Sequence, residues 1–597
     1  MKKIAFFISA LALLASCNNE ELTANNSGTG SDEGISFNLY QDADGTRTEY
    51  STADWLQIDW KYNDSIKIFC AETIGECSPS KNGVCSTRNT GIYHVTSTIA
   101  AKNSAGVTTN SQARIAAMSN DDVLYWNEGQ HTFYAIYGNG KDVTNITAEM
   151  KDGKYTGKFT CKYNKEQTLS KDQNGAWVCM SQAYMIAKKI TAPTANVDLH
   201  FKPIMTTLEI QIKGMADAPV YLSSVEITVP ASQDKTDANG YFTYDYETGT
   251  ASQASSPAAE TYKFVWADPS EAEIPKNGSI TLIAILPPID IAANDLVLDV
   301  KTAGWNSKKM KIDKAVSHGQ KARIATKSWS FDKTAAVDMG SSLGSWATVN
   351  IGADQPTDYG YHLSWAYNTT NTNKNKSHYT SIEYSPVTSL YSYPTLKSIA
   401  WNNTDFQHYG YALQTADSPT TGIKGRHTFP EFSDCLYHAG YTDQNTYCLV
   451  AAHDYAYQMD GWKNGSWKTP NMDELNALCA RDQTYSSNPL VTRKWVRMKN
   501  KNGQYISGVL LISKANGNCV FLGAWGKLGS EDDKTGTDGR EKFTAGCYYW
   551  STLSTDDSGN SECEQIFVTQ NNGVGTITAA QDNHTRGQGM QIRPKLR

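Results

Sequence analysis

Short stretches in which apolar and polar residues alternate run through the first half of the chain. Ile35, Phe37 and Leu39 alternate with polar neighbours, and the same period of two recurs in later segments: 66–68, 197–201, 208–212 and 225–229. A period of two is typical of half-buried strands. Many short strands separated by Gly, Pro and Asn favour antiparallel β-sandwiches. The pattern therefore predicts a mainly β protein.

The pattern changes along the chain in a way that predicts several domains. Residues 35–192 and 193–331 each have enough strands for one β-sandwich, whereas a different pattern begins near residue 332 and predicts a separate domain over residues 332–597. Within that last block, Thr469 is predicted to cap a helix that begins at Pro470 and buries the face of Met472 and Leu475.

The first residues read as a targeting signal. Residues 1–16 contain a positive start and an apolar run that is too short to span a bilayer. The run ends in Leu14-Ala15-Ser16-Cys17, which resembles a bacterial lipobox. This implies a lipid on Cys17, a flexible tether over 17–34 and an outer-membrane, surface-exposed location. An ordinary secretory signal with a chance cysteine is the alternative.

Composition limits the classes of function. The chain has 597 residues, a net charge of −7, 11% aromatic and 19% charged residues. The acidic balance argues against a nucleic-acid partner, and the aromatic content argues against disorder. The 11 His residues are scattered without a metal-binding spacing, so we expect no metal and no cofactor.

The 12 cysteines do not suggest redox chemistry. With Cys17 assigned to lipid, eleven remain, and no two have the C-x-x-C spacing. An exported protein can form disulfides, so structural disulfides or buried thiols are expected. Their pairing stays open, because sequence does not define connectivity.

Four segments in the first half are similar to the fimbrillin family. They are Trp60–Phe69, His131–Gly138, Val197–Ile212 and Leu282–Pro288. The resemblance implies two tandem transthyretin-like β-sandwiches, lipidation and assembly into type V pili with other fimbrillin subunits. In that family a protease cuts after an arginine near the first strand, which leaves, and the strand of a neighbouring subunit takes its place.

Arg47 is the residue at which this processing is expected. It lies just beyond the first predicted strand, in Gly45-Thr46-Arg47-Thr48, and such a sequence suits an exposed loop. The alternative is an ordinary surface arginine, and Arg88 is a weaker candidate for the same role.

The last block resembles the Fibrobacter major paralogous domain, which is related to C-type-lectin-like and formylglycine-generating folds. The resemblance implies an α+β, C-type-lectin-like domain over residues 332–597. Segments Trp346–Ala353, Tyr548–Thr552 and Gln591–Pro594 carry this resemblance. It implies a ligand-binding face near the end of the chain, with these candidate residues: Trp525, Tyr548, Tyr549, Trp550, Asp582, Asn583, His584 and Arg586. The alternative is that the aromatic residues form core and the polar residues are merely solvated.

Three functions remain open. The first is a pilus-tip adhesin whose lectin-like domain binds a host or microbial glycan or protein. The second is an enzyme of the formylglycine-generating type, although no residue forms a recognisable catalytic motif and we expect no catalysis. The third is a structural anchor lipoprotein that does not polymerise.

Overall fold

The computed structural model describes most of the chain, in ranges separated by gaps. These are residues 34–41, 59–77, 85–102, 108–138, 143–151, 154–172, 175–252, 260–363, 378–394, 396–401, 423–424, 447–449, 454, 456, 466–481, 488–528, 543–554, 560–571, 574–585 and 589–597.

The first 331 residues contain 23 strands and three short 3₁₀ turns, the latter at Asn120–Asp122, Met180–Gln182 and Pro269–Glu271, within the described ranges. The strands are β1 Phe37–Gln41, β2 Ser65–Phe69, β3 Ile74–Cys77, β4 Cys85–Thr87, β5 Thr90–Lys102, β6 Thr108–Ala117, β7 His131–Tyr137, β8 Val143–Lys151, β9 Lys154–Lys162, β10 Glu166–Lys171, β11 Trp177–Val178, β12 Met185–Thr191, β13 Val197–Pro203, β14 Thr206–Lys213, β15 Val220–Val229, β16 Tyr241–Asp245, β17 Thr250–Ala251, β18 Glu260–Trp266, β19 Glu273–Ile274, β20 Ser279–Leu286, β21 Val297–Thr302, β22 Lys308–Lys311 and β23 Lys321–Ala325.

The remaining residues, which we call the head (332–597), contain shorter strands and one helix, α1 Met472–Cys479, among the residues described. The strands are β24 Ala336–Asp338, β25 Ser345–Ala347, β26 His362–Leu363, β27 His378–Tyr384, β28 Leu396–Trp401, β29 Ile423–Lys424, β30 Tyr447–Leu449, β31 Trp467–Lys468, β32 Val491–Lys499, β33 Tyr505–Ser513, β34 Cys519–Gly523, β35 Lys527–Leu528, β36 Phe543–Thr544, β37 Cys547–Trp550, β38 Leu553–Ser554, β39 Asn560–Asn571, β40 Val574–Thr585 and β41 Lys595–Leu596.

Seven strands close into a barrel at the beginning of the chain. Their order is β1-β13-β12-β7-β2-β5-β6, and β6 returns to pair with β1. The alternating apolar residues face inward, so Leu39, Ile66 and Phe133 are fully buried. The prediction of a mainly β fold is confirmed, and this first sheet closes on itself.

A ten-stranded curled sheet follows, with the path β22-β21-β15-β18-β10-β11-β20-β14-β23 and with β19 paired to β15. The sheets do not divide near residue 193 as predicted. Strand β13 comes after that point but completes the barrel, whereas β10 and β11 come before it but join the second sheet. Pairing follows the complementary apolar faces of strands, which sequence order alone does not reveal.

A four-stranded sheet joins the two regions further. Strands β8 and β9, from before residue 193, pair with β16 and β17, from after it, in the order β17-β16-β9-β8. Phe159 of β9 and Tyr244 of β16 are buried against each other, with ring centroids 5.5 Å apart. The barrel and the curled sheet therefore share one continuous apolar core.

The head is built from several short sheets around α1. Helix α1 begins with a capping box in which Asn471 Oδ1 accepts from the amide of Glu474 at 2.8 Å and Glu474 Oε2 accepts from the amide of Asn471 at 2.9 Å. The predicted cap at Thr469 is wrong, because the Thr469 hydroxyl instead donates to Asp454 Oδ1 at 2.7 Å. The helix then buries Met472 and Leu475, as predicted.

The head docks onto the curled sheet through buried polar contacts. Trp305 donates its Nε1–H to Gln355 Oε1 at 2.8 Å, and both residues are buried. The amide of Lys499 donates to the hydroxyl of Tyr221 at 2.8 Å, while Lys499 Nζ pairs with Glu273 at 2.9 Å. Paired polar groups at a buried interface fix one orientation of the head.

Apolar packing continues across the same interface. Gly304 has a φ of 110°, and a Cβ added there would lie 3.1 Å from Cβ of Phe521, so the two backbones approach closely because Gly304 has no side chain. The apolar core of the first 331 residues extends into the head through these residues: Val496, Met498, Ile506, Leu510 and Phe521.

The substitution Trp305→Phe tests the interface. It removes the indole donor and leaves Gln355 Oε1 buried without it, which costs about 1–3 kcal/mol. We expect the thermal unfolding midpoint of the full chain to fall by roughly 1–2 °C, measured by calorimetry. Adding Gln355→Leu is expected to recover part of this loss, because both polar groups are then gone. Purely additive losses in the double variant would contradict the coupling.

Candidate functional site

Strand β1 lies in the wall of the barrel between two other strands. It runs parallel to β13, with Phe37 opposite Val197, and antiparallel to β6, with Leu39 opposite Ala113. Phe37 and Leu39 are at most 1% exposed. Both backbone edges of β1 and its alternate side chains are therefore satisfied within the barrel.

The side chains of β1 make specific contacts on both faces of the sheet. Inside, the ring of Phe37 meets Tyr93 edge-on, with centroids 5.1 Å apart. Outside, Asn38 Nδ2 donates to Asp198 Oδ1 at 3.0 Å. If β1 left, an apolar slot and two unpaired strand edges would remain, and such edges are templates for strand addition.

The two arginines considered as processing sites, Arg47 and Arg88, differ in whether the structure describes them. Arg47 lies outside the described residues, as do Cys17 and residues 1–33. Arg88 is held in place, because its Nη1 donates to the carbonyls of Asn120 at 2.7 Å and Val123 at 2.9 Å. A guanidinium bound in this way is a poor protease site, and this favours Arg47 over Arg88.

The segment that follows the curled sheet is tied down. The amide of Thr326 donates to the carbonyl of Gln211 at 2.9 Å, and the amide of Trp329 donates to the carbonyl of Gly214 at 3.1 Å. The buried indole of Trp329 also donates to the carbonyl of Asn306 at 2.8 Å. Residues 326–329 therefore pack back onto the sheet that they leave.

Residues 589–597 are built into the head. Strand β41 pairs with β25 and β31. Arg593, which is 1% exposed, donates through Nε to Asn350 Oδ1 at 2.9 Å and through Nη2 to the carbonyl of Phe521 at 2.6 Å. Removing this segment would leave buried polar groups without their donors, so it is not free to pair elsewhere.

Most of the predicted ligand-contact aromatic residues are buried. Tyr549 and Trp550 are at most 1% exposed, and Trp550 donates its Nε1–H to the carbonyl of Leu363 at 2.8 Å. They lie on β37, which pairs with β39 inside the head. The sequence predicted that Tyr549 and Trp550 contact a ligand, whereas in the structure both residues form part of the core of the head.

A polar cluster does form at the end of β40. His584 Nδ1 accepts from Lys527 Nζ at 2.7 Å, and His584 Nε2 lies 2.9 Å from Asp582 Oδ2. Burial and the nearby ammonium of Lys527 lower the pKa of His584 to about 4. Tyr548 borders this cluster, with its ring centroid 5.9 Å from that of His584, and burial raises its pKa to about 12. The structure thus brings three predicted residues together.

The other predicted residues of this face are less defined. Asn583 lies on β40, and its side chain is outside what the structure describes; Arg586 lies outside the described residues altogether. Lys527 was missed by the sequence reasoning, although it lies two residues after the selected Trp525. A lysine directly after Gly523-Ala524-Trp525-Gly526 was the available signal.

Trp525 borders a cavity at another place in the head. Its side chain is 3% exposed and meets the ring of Tyr359 edge-on at 6.1 Å. Together with Tyr361, Tyr505 and polar side chains it lines a cavity of about 560 Å³. Sequence reasoning selected Trp525 but missed the tyrosines, because they come from segments more than 140 residues apart in the chain.

The described thiols of the head are buried. Burial raises the pKa of Cys479, Cys519, Cys547 and Cys563 in the head, which disfavours the reactive thiolate. Outside the head, Cys85 is disulfide-bonded and stands opposite Cys77 in the separate two-stranded β3–β4 sheet. Within the described ranges, no three His, Cys, Asp or Glu residues are grouped to hold a metal ion.

Comparison with known proteins identifies the family. Residues 46–346 match the Fimbrillin-like sequence family, which is half of the chain. The chain therefore belongs to the fimbrillin-like family. Membership implies a place on the cell surface and assembly with other pilus subunits.

Several solved structures are similar to about half of the chain. A candidate cell adhesion protein from Bacteroides uniformis has 14% identity and a TM-score of 0.28, over 50% of this chain and 94% of that one. One from Bacteroides ovatus has 12% identity and a TM-score of 0.30, over 50% and 93%. No curated protein sequence matches the chain. In the part of the chain that is described, no helix is long and apolar enough to cross a membrane.

The pKa of His584 predicts a pH effect on stability. The value of about 4 in the folded chain lies below the unfolded value of about 6.5, so the unfolded state binds the extra proton first. Stability from this site is complete above pH 6.5 and is lost as the pH falls toward 4. As the pH is lowered from 7 to 4.5, we expect the unfolding midpoint of His584→Gln to fall less than that of wild type, by roughly 1–2 °C.

A matched control for this measurement is His200→Gln, because His200 lies on the distant barrel and stacks on Tyr40. The control is expected to follow the wild-type pH dependence. An equal pH dependence in His584→Gln and wild type would contradict the lowered pKa of His584.

Proposed function

We propose that this chain is a lipidated pilus-tip adhesin of the fimbrillin-like family. It accepts a donor strand in the slot of β1 and contacts a glycan or protein through its head. The observation that carries this proposal is that residues 589–597 are hydrogen-bonded into the head, so this segment is not available as a donor strand.

The barrel supports the accepting role. Strand β1 contributes two buried apolar side chains and pairs on both edges, so a replacement strand with the same alternation fits the slot. Processing at Arg47 would cut the connection between β1 and the rest of the barrel. The exchange would then replace one set of backbone hydrogen bonds by an equivalent set.

The segment that follows the curled sheet supports the proposal that this chain does not donate a strand to a neighbouring subunit. A shaft subunit must release a terminal strand, whereas residues 326–329 are hydrogen-bonded to the curled sheet and lead directly into the head. The docked head covers part of that sheet and would stand at the end of a fibre. This arrangement suits a tip subunit better than a shaft subunit.

The head is proposed to be C-type-lectin-like and to bind rather than catalyse. Its short sheets around α1 and its sequence resemblance support this fold. The raised pKa values of its buried thiols speak for a binding domain over an enzyme of the formylglycine-generating type. Cys17 is proposed to carry the lipid that holds the chain at the outer membrane before assembly.

Arg47→Ala tests the processing step in cells that assemble these pili. The expected result is a chain that keeps its N-terminal segment and is absent from polymers, because β1 stays connected. N-terminal sequencing of the surface material measures this directly. The matched variant Arg88→Lys is expected to be processed as in wild type. Normal processing of Arg47→Ala would contradict the assignment.

Labelling of the head on isolated pili tests the tip position. Because the chain does not donate residues 589–597, we expect gold-labelled antibodies against the head at fibre ends. Labels spaced along the shaft would contradict the tip proposal. Surface material that retains an uncut Arg47 without a co-purifying pilin would instead favour the non-polymerising anchor.

A further inference from the structure

A cavity in the head lies next to the interface with the curled sheet. Four segments meet there: the loop 352–361, the connection 385–394, the turn 500–504 and Trp525. Its volume of about 560 Å³ falls within the range of small-molecule pockets, roughly 300–1,000 Å³. The loop 352–361 is fixed from behind, because Gln355 accepts from Trp305 of the docked sheet.

Aromatic rings form part of the cavity lining. Tyr361 lies flat against Gly352, where an added Cβ would be only 2.5 Å from Cγ of that ring. Gly352 has a φ of 79°, and the turn donates the amide of Tyr361 to the carbonyl of Ile351 at 2.7 Å. The ring is therefore held by backbone on one side, which is how a rigid stacking surface is positioned at little entropic cost.

A second ring comes from the start of β33. Tyr505 lines the cavity, and the guanidinium carbon of Arg497 lies 4.3 Å from the centroid of its ring. Its carbonyl accepts from the amide of Val387 at 3.1 Å, which ties the turn to the connection 385–394. Two tyrosines from distant segments are thus placed at one cavity.

The turn between β32 and β33 supplies amide groups. Asn500 Oδ1 accepts from the amides of Asn502 and Gln504, each at 3.0 Å, so the backbone of the turn is fixed. The side chains of Asn502 and Gln504 are exposed and line the cavity. Carboxamides donate and accept hydrogen bonds, which matches hydroxyl groups on a ligand.

The charges at the cavity are balanced. Lys501 Nζ lies 3.5 Å from Asp354 and 3.6 Å from Asp358, and Lys333 Nζ pairs with Asp354 at 2.9 Å. Two carboxylates therefore face two ammonium groups. Such a site has no excess charge to attract an anionic or cationic ligand over a neutral one.

We propose that this cavity is the ligand site of the head and that it takes a neutral saccharide; this rests on the proposed adhesin function. The apolar face of a sugar ring packs on tyrosine, and its hydroxyl groups bond to amides and carboxylates. This site is separate from the cluster of Lys527, Asp582 and His584, whose polar atoms bond to one another.

The test uses the full chain on a glycan array that carries neutral, sialylated and sulfated glycans. The best neutral glycan is then titrated by calorimetry against wild type, Tyr361→Ala and Asn502→Ala. We expect affinity to fall at least about tenfold for Tyr361→Ala and about three- to tenfold for Asn502→Ala. Asn502→Ala removes an exposed side chain, so it tests the site even if Tyr361→Ala misfolds.

Two controls make the outcomes distinct. Tyr62→Ala removes a tyrosine that is 69% exposed on the barrel and is expected to leave affinity within about twofold of wild type. Asp582→Ala probes the other polar cluster and is expected to have equally little effect. Binding of the neutral glycan is expected to change little between 50 and 500 mM salt, because the charges at the cavity are already paired.

Each other outcome overturns the inference. Glycan binding that is lost in Asp582→Ala but kept in Asn502→Ala and Tyr361→Ala would place the ligand elsewhere while leaving the adhesin function intact. Selective, salt-sensitive binding of sialylated or sulfated glycans would contradict a neutral ligand. An absence of binding to every glycan, with protein binding retained, would remove the saccharide site and leave a protein-binding adhesin. An absence of any binding would overturn both proposals.

Discussion

The pairing of β1 inside the first barrel is the constraint on which the proposed biology depends. A strand of five residues is bonded to β13 on one edge and to β6 on the other. Backbone groups buried in a sheet must be paired, so the barrel cannot lose β1 without gaining another strand. The same requirement that closes the fold therefore specifies what a partner subunit would supply: an extended segment with apolar side chains at alternate positions.

The second constraint is the way the head is held. Buried hydrogen bonds from Trp305 to Gln355 and from Lys499 to Tyr221 join the head to the curled sheet, and the apolar core is continuous across the junction. Because unpaired buried groups are costly, the two parts are expected to move as one unit. A force applied to the head would then pass directly to the curled sheet.

The aromatic residues of the head have two different roles. Tyr549 and Trp550 fill the core, whereas Tyr361 and Tyr505 border a cavity. Composition cannot separate these roles, because the same residue types serve both. The separation depends on which side of a turn or strand each ring occupies, and the backbone at Gly352 decides this for Tyr361.

Local patterning determined the strands of this protein and the family to which it belongs. Period-two segments at Phe37, Ile66 and Val197 became β1, β2 and β13, because alternating burial is a local property of an extended chain. The helix after Pro470 was also predicted, although its cap is Asn471, since competing hydroxyl partners such as Asp454 are visible only in three dimensions.

Tertiary structure alone decided which strands share a sheet and which residues share a site. Strand β13 crosses the expected division near residue 193 because its apolar face completes the barrel, and β10 joins the curled sheet for the same reason. Lys527 contacts His584 across 57 residues of sequence, and Tyr361 and Tyr505 line one cavity although they are 144 residues apart. Such contacts depend on long-range pairing and packing, whereas the sequence pattern reports only which face of each local segment is apolar.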